Sequence, residues 1–374
     1  MKFCIVGPTY PIRGGIAHYT TLLCRYLEEK HDVTAVTFKR LYPSILFPGK
    51  SQIDPSKSAV SFNALPVIDS MNPLTWVAAS NVIRDTNPDW TIFQWWQPFF
   101  GPCLASIASR VRKHSKVAFI CHNVLPHEPM PLVRKLSLTA LRHGDGFIVH
   151  SNRDKTDLQL LLPDLPEESI RRAYLPDEAT FPVSGMTREE ARSRLGLKGR
   201  VILFFGLVRK YKGLMELIEA MSLVHRDDVT CLVVGEFYDK PTPYLERIKE
   251  LKLDMRFKVV NNYIPNEDVE QYFAAADVVV LPYRRATQSG IVQIAYHFQR
   301  PVIATSVGGL PECIDNERTG LLVPPRDPES LARAIDRYYD EGLETQLVEG
   351  IRQDRGRFSW DRVIETIEAL CTSV

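Results

Sequence analysis

Residues 277–312 contain the pattern that most restricts how this chain can fold. The apolar run Val278–Leu281 stops at Pro282, and proline cannot continue a central parallel strand. From Gly290 onward apolar residues recur three and four positions apart, which predicts a helix. A second apolar run, Pro301–Thr305, then leads through a glycine pair into another predicted helix. This succession of strand, loop and helix indicates a parallel α/β sheet, in which ligands bind beyond the carboxyl ends of the strands.

The same succession occurs in two series, which predicts two α/β domains in a chain of 374 residues. The first series runs from the apolar segment Phe3–Val6 to Gly146–Val149. Periodicity weakens between residues 163 and 199, and the second series begins with Val201–Phe205. Residues 40–75 are rich in Pro, Ser and Asn, and we expect them to form a long irregular excursion within the first domain.

Composition excludes several classes of protein. A net charge of +1 gives no reason to expect nucleic acid as a partner. Seven cysteines without a Cys-x-x-Cys pair favour buried, reduced thiols in a cytoplasmic protein over disulfides or a metal site. No apolar run approaches the ~18–20 residues of a membrane-spanning helix. We therefore expect a cytoplasmic protein, with peripheral contact at the inner face of the membrane as an open alternative.

Two polar features follow predicted strands of the first domain. Gly14 and Gly15 lie between the first strand and the helix after it, where backbone amides favour an anion. A tight turn without a ligand would explain them equally well. They do not form a Gly-x-Gly-x-x-Gly fingerprint, which argues against an NAD-dependent oxidoreductase. His122 follows the strand Val117–Cys121, and such a histidine can be a structural hydrogen-bonding group or a functional one.

Aromatic and basic clusters leave further alternatives open. The aromatic residues are Trp95, Trp96, Phe99 and Phe100, and core packing is favoured over a platform for sugars. The basic clusters are Arg110, Arg112, Lys113, His114 and Lys116, and then Arg134, Lys135, Arg142 and His143. Solvated helix faces are the simpler interpretation of these clusters, and a membrane-surface patch is the alternative.

The order and spacing of the short motifs resemble those of GT-B glycosyltransferases, and among these the retaining family 4, or glycosyl transferases group 1. The matching stretches are Gly14-Gly15-Ile16, His122, residues 205–213, Val234-Gly235-Glu236, residues 301–312, residues 319–324 and Phe358-Ser359-Trp360. The resemblance implies two Rossmann-like domains facing across a cleft. Residues 1–178, joined by the C-terminal helix 356–374, would bind the acceptor, and residues 179–355 would bind a nucleotide sugar.

The resemblance also implies roles for individual residues. Arg209 and Lys212 would bind the diphosphate of the donor, because guanidinium and ammonium groups suit phosphate oxygens. A histidine at the position of His122 would hydrogen-bond the transferred sugar or the reacting centre. The implied catalytic residues are His122, Arg209 and Lys212, and the implied donor-binding residues are Gly14, Gly15, Gly206, Thr287, Gln288, Ser289, Gly290 and Glu312. The chain has no Asp-x-Asp motif, so we expect no metal or other cofactor.

The chain departs from the family pattern at the donor site. The family places two glutamates, with seven residues between them, at the positions of Ala286 and Ile294, and glycine at the position of Gln299. Many members also carry arginine where this chain has Leu207. The missing glutamates favour a second hypothesis, a GT-B protein that binds a nucleotide sugar without transferring it, or an epimerase-like one.

Overall fold

The computed structural model describes residues 1–43, 45, 47, 49, 51–57, 60–125, 132–177 and 181–374. It divides into two compact units. The first unit comprises Met1–Pro55, Ala59–Pro176 and Ser359–Val374, and the second comprises Ser56–Ser58 and Asp177–Phe358. The predicted boundary between residues 178 and 179 falls outside the described residues.

The first unit is a parallel sheet with helices, as expected for a Rossmann-like domain. Its described strands are β1 (Lys2–Val6), β2 (Asp32–Arg40), β3 (Leu65–Asp69), β4 (Trp90–Trp95), β5 (Lys116–Cys121), β6 (Gly146–Val149) and β7 (Ile170–Arg172). Its helices before the second unit are α1 (Gly15–Glu28), α2 (Pro73–Thr86), α3 (Gly101–Val111), α4 (Val133–Leu141) and α5 (Asn152–Leu161). The strand order is β3-β2-β1-β4-β5-β6-β7. The order therefore reverses direction between β1 and β4, where doubly wound sheets bind ligands.

The prediction of a long irregular excursion over residues 40–75 was wrong in its second half. Strand β3 pairs with β2 at the edge of the sheet, and α2 begins at Pro73 with the side chain of Asn72 as its N-cap. Pro66 lies within β3, and an edge strand tolerates a proline because one side of its backbone has no partner strand. The proline obscured the strand in the sequence.

The aromatic cluster after β4 is core packing, as favoured by the sequence. Phe100 is fully buried, and its ring centroid lies 4.3 Å from that of Trp96 and 5.7 Å from that of Phe38 on β2. These contacts hold the loop that follows β4 against the neighbouring strand.

The second unit repeats the architecture with six described strands. They are β8 (Arg200–Phe205), β9 (Val229–Val234), β10 (Phe257–Val260), β11 (Val278–Leu281), β12 (Val302–Thr305) and β13 (Gly320–Val323). Its described helices are α6 (Arg188–Leu195), α7 (Leu214–Leu223), α8 (Thr242–Glu250), α9 (Asn266–Ala275), α10 (Gly290–His297), α11 (Leu310–Cys313), α12 (Pro328–Asp340) and α13 (Glu344–Asp354). The strand order is β10-β9-β8-β11-β12-β13, so the reversal lies between β8 and β11. The segment 277–312 thus forms one side of this switch point.

The last helix, α14 (Trp360–Ser373), belongs to the first unit. The ring of Trp360 stacks on Tyr26 of α1 with a centroid distance of 5.1 Å. His31 and Glu368 add a hydrogen bond of 2.8 Å between the start of β2 and this helix. In the part of the chain that the structure describes, no helix is both long enough and apolar enough to span a bilayer.

Candidate active site

Two basic side chains lie in the loop that leaves β8, at the switch point of the second unit. This loop ends in one helical turn, Lys210–Lys212, before α7. The Lys212 ammonium lies 5.6 Å from the centre of the Tyr283 ring, and the Arg209 guanidinium lies 5.0 Å from that of Tyr238. Gly206 has a φ of 101°, and a Cβ there would lie 3.2 Å from Lys212 Nζ. Glycine therefore leaves room for the ammonium group.

The charge of Lys212 is not balanced within the described part of the protein. Burial, and then the neighbouring charge of Arg209, lower the pKa of Lys212 to about 8. Among the described residues no carboxylate lies within ion-pairing distance of its Nζ. Arg284, in the next loop, does pair with Glu216 of α7. An anion bound beside Lys212 would supply the missing negative charge.

The loops that follow β11 and β12 are held together by backbone contacts. The amide of Gly309 donates to the carbonyl of Thr287 at 2.7 Å. Gly308 has a φ of 55°, and a Cβ there would lie 1.6 Å from the carbonyl oxygen of Ala286. Only glycine permits this approach, which places residues 286–290 beside the glycine pair.

The predicted donor loop, residues 287–290, leads directly into α10. Ser289 is the N-cap of this helix, and its Oγ accepts a hydrogen bond from the amide of Ile291 at 3.3 Å. The hydroxyl of Tyr283 lies 3.2 Å from the same Oγ. Gly290 is the first residue of the helix, Thr287 is buried, and Gln288 lies between them. The loop therefore offers neutral polar groups and no carboxylate.

The positions where the chain departs from its family pattern lie in buried or hydrogen-bonded surroundings. Ala286 and Ile294 are buried, at 3% and 7% exposure. Gln299 has a φ of 53°, in the left-handed region that favours glycine, and its Oε1 accepts two hydrogen bonds from Arg352. Glu312, the remaining predicted carboxylate, is partly buried in α11.

In the first unit, His122 lies at the end of β5 in a buried polar cluster. Its Nε2 is 2.7 Å from Oε1 of Gln94 on β4. The ring of Tyr19 meets it edge-on at 4.7 Å, and the ring of His150 lies 5.2 Å away. Burial, and then the proximity of His150, hold the pKa of His122 well below its usual value. His122 is therefore neutral at physiological pH.

Gly14 and Gly15 lie at the N-terminus of α1, the helix that carries Tyr19. Gly14 is the N-cap and has a φ of 117°, and no side chain caps this end of the helix. A Cβ on either glycine would meet no atom within 4 Å in the described residues. Gly14, Gly15 and His122 thus share the first unit, whereas the other predicted residues lie in the second.

Sequence reasoning missed several residues that support His122. Asp154 accepts a hydrogen bond from the amide of Val124 at 3.2 Å and another from Ser151 Oγ at 2.6 Å, which anchors the loop after β5. Burial raises the pKa of Asp154 to about 6. The Ser-x-x-Asp spacing before a helix was the available signal for this pair. For Gln94, the available signal was a polar residue within an apolar strand. A buried polar side chain there is expected to hydrogen-bond to a neighbouring group.

Comparisons with known proteins agree with this architecture. Residues 13–176 match the profile of Glycosyltransferase Family 4, and residues 199–341 match that of Glycosyl transferases group 1. The D-inositol 3-phosphate glycosyltransferase of Salinispora arenicola is 31% identical over 189 residues, which cover 46% of this chain and 42% of that protein. The putative teichuronic acid biosynthesis glycosyltransferase TuaC of Bacillus subtilis is 33% identical over 159 residues, which cover 42% of this chain and 38% of that protein. The chain spans about half the length, or less, of the curated relatives that it matches.

A solved structure shows the same fold over the whole chain. Anabaena Alr3699/HepE in complex with UDP superposes with a TM-score of 0.76 at 18% identity, covering 100% of both chains. The two family profiles together cover both units. The chain belongs to the group 1 glycosyl transferases and has the two Rossmann-like domains of the GT-B fold.

Proposed function

We propose that the protein transfers a sugar from a nucleotide-sugar donor to a glycan or lipid-linked acceptor of the cell surface, with retention of configuration and without a metal. The observation that carries this proposal is Lys212, a partly buried cation at the switch point of the second unit with no carboxylate partner among the described residues. A donor diphosphate supplies the anion that this position favours.

The chemistry of the leaving group explains why such cations would accelerate transfer. As the bond to the sugar breaks, negative charge builds on the departing diphosphate. Arg209 and Lys212 stabilise that charge, and charge-assisted hydrogen bonds contribute roughly 1.5–3 kcal/mol each. An interaction that strengthens toward the transition state raises the rate of the chemical step. The departing phosphate then takes the proton of the acceptor, so His122 need not act as a base.

The donor sugar would lie against the neutral loop 287–290 and the glycine pair 308–309. Hydroxyl, amide and backbone N–H groups there bind sugar hydroxyls without the family's two carboxylates. Glu312 would add one acceptor, and Gly206 leaves space beside the phosphates. In the first unit, His122 would hydrogen-bond the transferred sugar, and Gly14 and Gly15 would approach the donor phosphates through their amides.

The apolar residues Ala286 and Ile294 favour a second candidate function. A GT-B protein without the paired carboxylates could bind a nucleotide sugar without transferring it, or could act as an epimerase. Both candidates require nucleotide binding at Lys212, and they differ in turnover.

Binding and turnover should be measured separately on the same protein. Calorimetry with a panel of nucleotides and nucleotide sugars identifies the donor, beginning with UDP-sugars because the Anabaena neighbour was solved with UDP and UDP-glucose. A transfer assay with envelope lipid and glycan acceptors follows, with Lys212→Ala as the test variant and Lys210→Ala in the same turn as its control. Binding without transfer or hydrolysis would favour the second candidate. A Lys212→Ala variant that binds nucleotide as tightly as the parent would contradict both.

We also propose that a lipid-linked acceptor is reached at an anionic membrane surface. Leu132, which precedes α4, and Leu138, in its second half, are exposed at 67% and 38%, and Arg134 and Lys135 are exposed between them. Exposed leucines beside basic residues suit the boundary of an anionic bilayer. The protein should float with anionic vesicles, and Arg134→Glu with Lys135→Glu should abolish flotation. Equal flotation with uncharged vesicles would contradict this contact.

A further inference from the structure

Tyr283 is a buried tyrosine that contacts both Lys212 and the donor loop of the second unit. It lies beyond the end of β11, and its side chain is 2% exposed. The Lys212 ammonium lies 5.6 Å from the centre of its ring, and its hydroxyl lies 3.2 Å from Oγ of Ser289, the N-cap of α10. A Cβ on Gly206 would lie 3.2 Å from both Lys212 Nζ and Cδ1 of Ile291, so the ammonium is also close to the first turn of α10.

Backbone contacts determine where Tyr283 lies. Oγ1 of Thr305, at the end of β12, donates a hydrogen bond to the carbonyl oxygen of Tyr283 at 2.6 Å. The amide of the next residue, Arg284, donates to the carbonyl oxygen of Tyr211 at 2.8 Å. The turn that carries Lys212 is therefore held against the segment that carries Tyr283.

The ring of Tyr283 provides a favourable contact for the charge of Lys212. The face of an aromatic ring attracts an ammonium that lies within about 6 Å of its centre, and the attraction is larger where water is excluded. Lys212 is partly buried beside Arg209, and both its burial and the like charge disfavour the ammonium. Because no carboxylate among the described residues pairs with Lys212, the ring stabilises the charge before a ligand binds.

The hydroxyl of Tyr283 restrains the donor loop. Oγ of Ser289 accepts a hydrogen bond from the amide of Ile291 at 3.3 Å, and the Tyr283 hydroxyl contacts the same oxygen. Either hydroxyl can be the donor in this contact, and in both cases the contact restricts rotation of the Ser289 side chain. Ser289 belongs to the donor loop 287–290, so Tyr283 restrains the end of the loop at which α10 begins.

We infer that Tyr283 is a positioning residue, whose ring holds the ammonium of Lys212 for the diphosphate and whose hydroxyl holds Ser289 for the donor sugar. This inference rests on the proposed function, in which Lys212 binds the diphosphate and the loop 287–290 binds the sugar. Tyr283 itself contacts no part of the donor and transfers no proton. Its two contacts are made by different parts of one side chain, so each can be removed separately.

Two substitutions distinguish the ring from the hydroxyl. Tyr283→Phe removes only the hydroxyl, whereas Tyr283→Leu removes the ring as well. Calorimetry with UDP and UDP-glucose, or with the pair of the nucleotide panel that binds in their place, measures the affinities. We expect Tyr283→Phe to leave UDP affinity unchanged and to weaken UDP-glucose binding by about fivefold, the size of one hydrogen bond. Tyr283→Leu should weaken the binding of UDP itself by about tenfold, because the contact between the ring and the ammonium is lost.

Tyr338→Phe is the matched control for the loss of a buried tyrosine hydroxyl. Tyr338 is buried in the same unit, and its hydroxyl donates to the carbonyl oxygen of Asp277 at 2.8 Å. We expect its affinities for UDP and for UDP-glucose to equal those of the parent. A general defect of the fold would weaken both ligands, so an equal loss of UDP and UDP-glucose affinity in Tyr283→Phe would overturn the inference.

A double-mutant cycle tests whether the hydroxyl acts through Ser289. Ser289→Ala removes the atom that the Tyr283 hydroxyl contacts, so adding Tyr283→Phe to it should weaken UDP-glucose binding no further. Losses that add in the double variant would show that the hydroxyl acts elsewhere, and would overturn this part of the inference.

The charge of Lys212 can be followed without any nucleotide. In the full chain labelled with ¹³C-lysine, the signal of Lys212 is the one missing from Lys212→Arg, and its titration gives the pKa. We expect the pKa of Lys212 to be lower in Tyr283→Leu than in the parent, because the ring no longer stabilises the ammonium, and to be unchanged in Tyr283→Phe.

The titration also separates this inference from the proposed function. If the parent binds no nucleotide of the panel, the proposed function fails, and the titration alone decides whether the ring holds the charge of Lys212. An equal pKa in the parent and in a folded Tyr283→Leu variant would overturn the inference. Tyr283→Phe fills nearly the same volume as tyrosine, so the test of the hydroxyl stands even where the leucine variant does not fold.

Discussion

The two units share one topology and differ in the chemistry at their switch points. In both sheets the strand order reverses beside the first strand, between β1 and β4 and between β8 and β11. Beside the first reversal, His122 at the end of β5 is neutral and is bonded to the uncharged amide of Gln94 on β4. At the second, Lys212 is a cation with no carboxylate partner among the described residues. The topology determines where a ligand binds, and the side chains determine the charge of the ligand that is accepted.

The unbalanced charge of Lys212 is a local property of its loop. Some other partly buried cations of the second unit are paired with carboxylates. Arg188 and Arg192 both contact Asp277, at 3.2 and 2.7 Å. Arg256 and Lys258 donate instead to backbone carbonyl oxygens. Lys212 has neither kind of partner among the described residues, and it lies where an anionic ligand is expected. An uncharged, hydroxyl-bearing group suits the surroundings of His122, and a diphosphate suits those of Lys212.

The largest effect should follow from removing His122. We expect His122→Ala to lower kcat by about 10²-fold, the lower range for loss of a preorganised contact to the reacting group. Its affinity for a nucleotide without sugar should remain that of the parent, because His122 is proposed to contact the transferred sugar and not the phosphates. Steady-state kinetics and calorimetry with the free nucleotide measure the two quantities. A parallel loss of nucleotide affinity would remove the distinction between the two switch points.

Removing the charge at Lys212 should affect binding and rate together. We expect Lys212→Ala to cost about 2 kcal/mol of transition-state stabilisation, or roughly 30-fold in kcat/KM. Nucleotide affinity should fall as well, and its salt dependence should become weaker, because one charge pair is lost. Lys210 lies in the same helical turn as Lys212 and has an exposed side chain, so Lys210→Ala is the control. Salt titrations of nucleotide affinity with the three proteins measure this difference, and identical salt dependence would contradict it.

A smaller effect should appear in the pH dependence of nucleotide binding. The pKa of Lys212 is lowered to about 8, so the free protein loses this charge above that pH. A bound diphosphate favours the protonated ammonium, so binding should take up a proton, and affinity should fall by up to about tenfold per pH unit above 8. Calorimetry in buffers of different ionisation enthalpy measures the uptake. Lys212→Arg keeps its charge over this range, so its affinity should not change with pH; a pH dependence retained in this variant would assign the ionisation to another group.

The sequence was most informative where local chemistry is strong. Pro282 correctly marked the end of β11, and Gly290 correctly marked the start of α10. Both signals depend on local backbone geometry, which the sequence determines directly. Pro66 had the opposite effect, since only its place at the sheet edge permits a strand there. The family motifs located Arg209 and Lys212 in the correct loop.

Contacts between distant segments could not be predicted from one sequence. Gln94 and His122 are 28 residues apart, and only the pairing of β4 with β5 brings them together. The conformation of Gln299 was hidden for the same reason, because its partner Arg352 is 53 residues away. Glycine adopts this left-handed conformation without strain, and in this chain the hydrogen bonds from Arg352 hold Gln299 in it.

A histidine at the far end of the helix that follows the donor loop tests whether pairing, rather than charge alone, distinguishes the site. His297 ends α10, the helix that begins at the donor loop. Its Nδ1 lies 3.0 Å from Asp177 and its Nε2 lies 3.0 Å from the carbonyl oxygen of Phe181. Both partners are acceptors, so both nitrogens must carry hydrogens for both bonds to form. Burial and the nearby charge of Arg355 oppose the imidazolium, but the bonds to Asp177 and Phe181 outweigh them and raise the pKa of His297.

Because His297 is paired, we expect it to stabilise the fold and to leave nucleotide binding unaffected. Its folded pKa lies above the unfolded value, so its contribution is complete below the unfolded pKa and is lost as pH rises through the folded pKa. Between acid and alkaline pH, the free energy of unfolding of the parent should fall by about 1 kcal/mol more than that of His297→Gln, which is the size of one hydrogen bond. Urea unfolding at pH 5.5 and pH 8.5 (values about one unit or more to either side of an ordinary histidine pKa) measures this difference. If His297→Gln instead weakened nucleotide binding as Lys212→Ala does, a paired cation would serve the ligand as well as an unpaired one, and the lack of a carboxylate beside Lys212 would no longer identify the anion site.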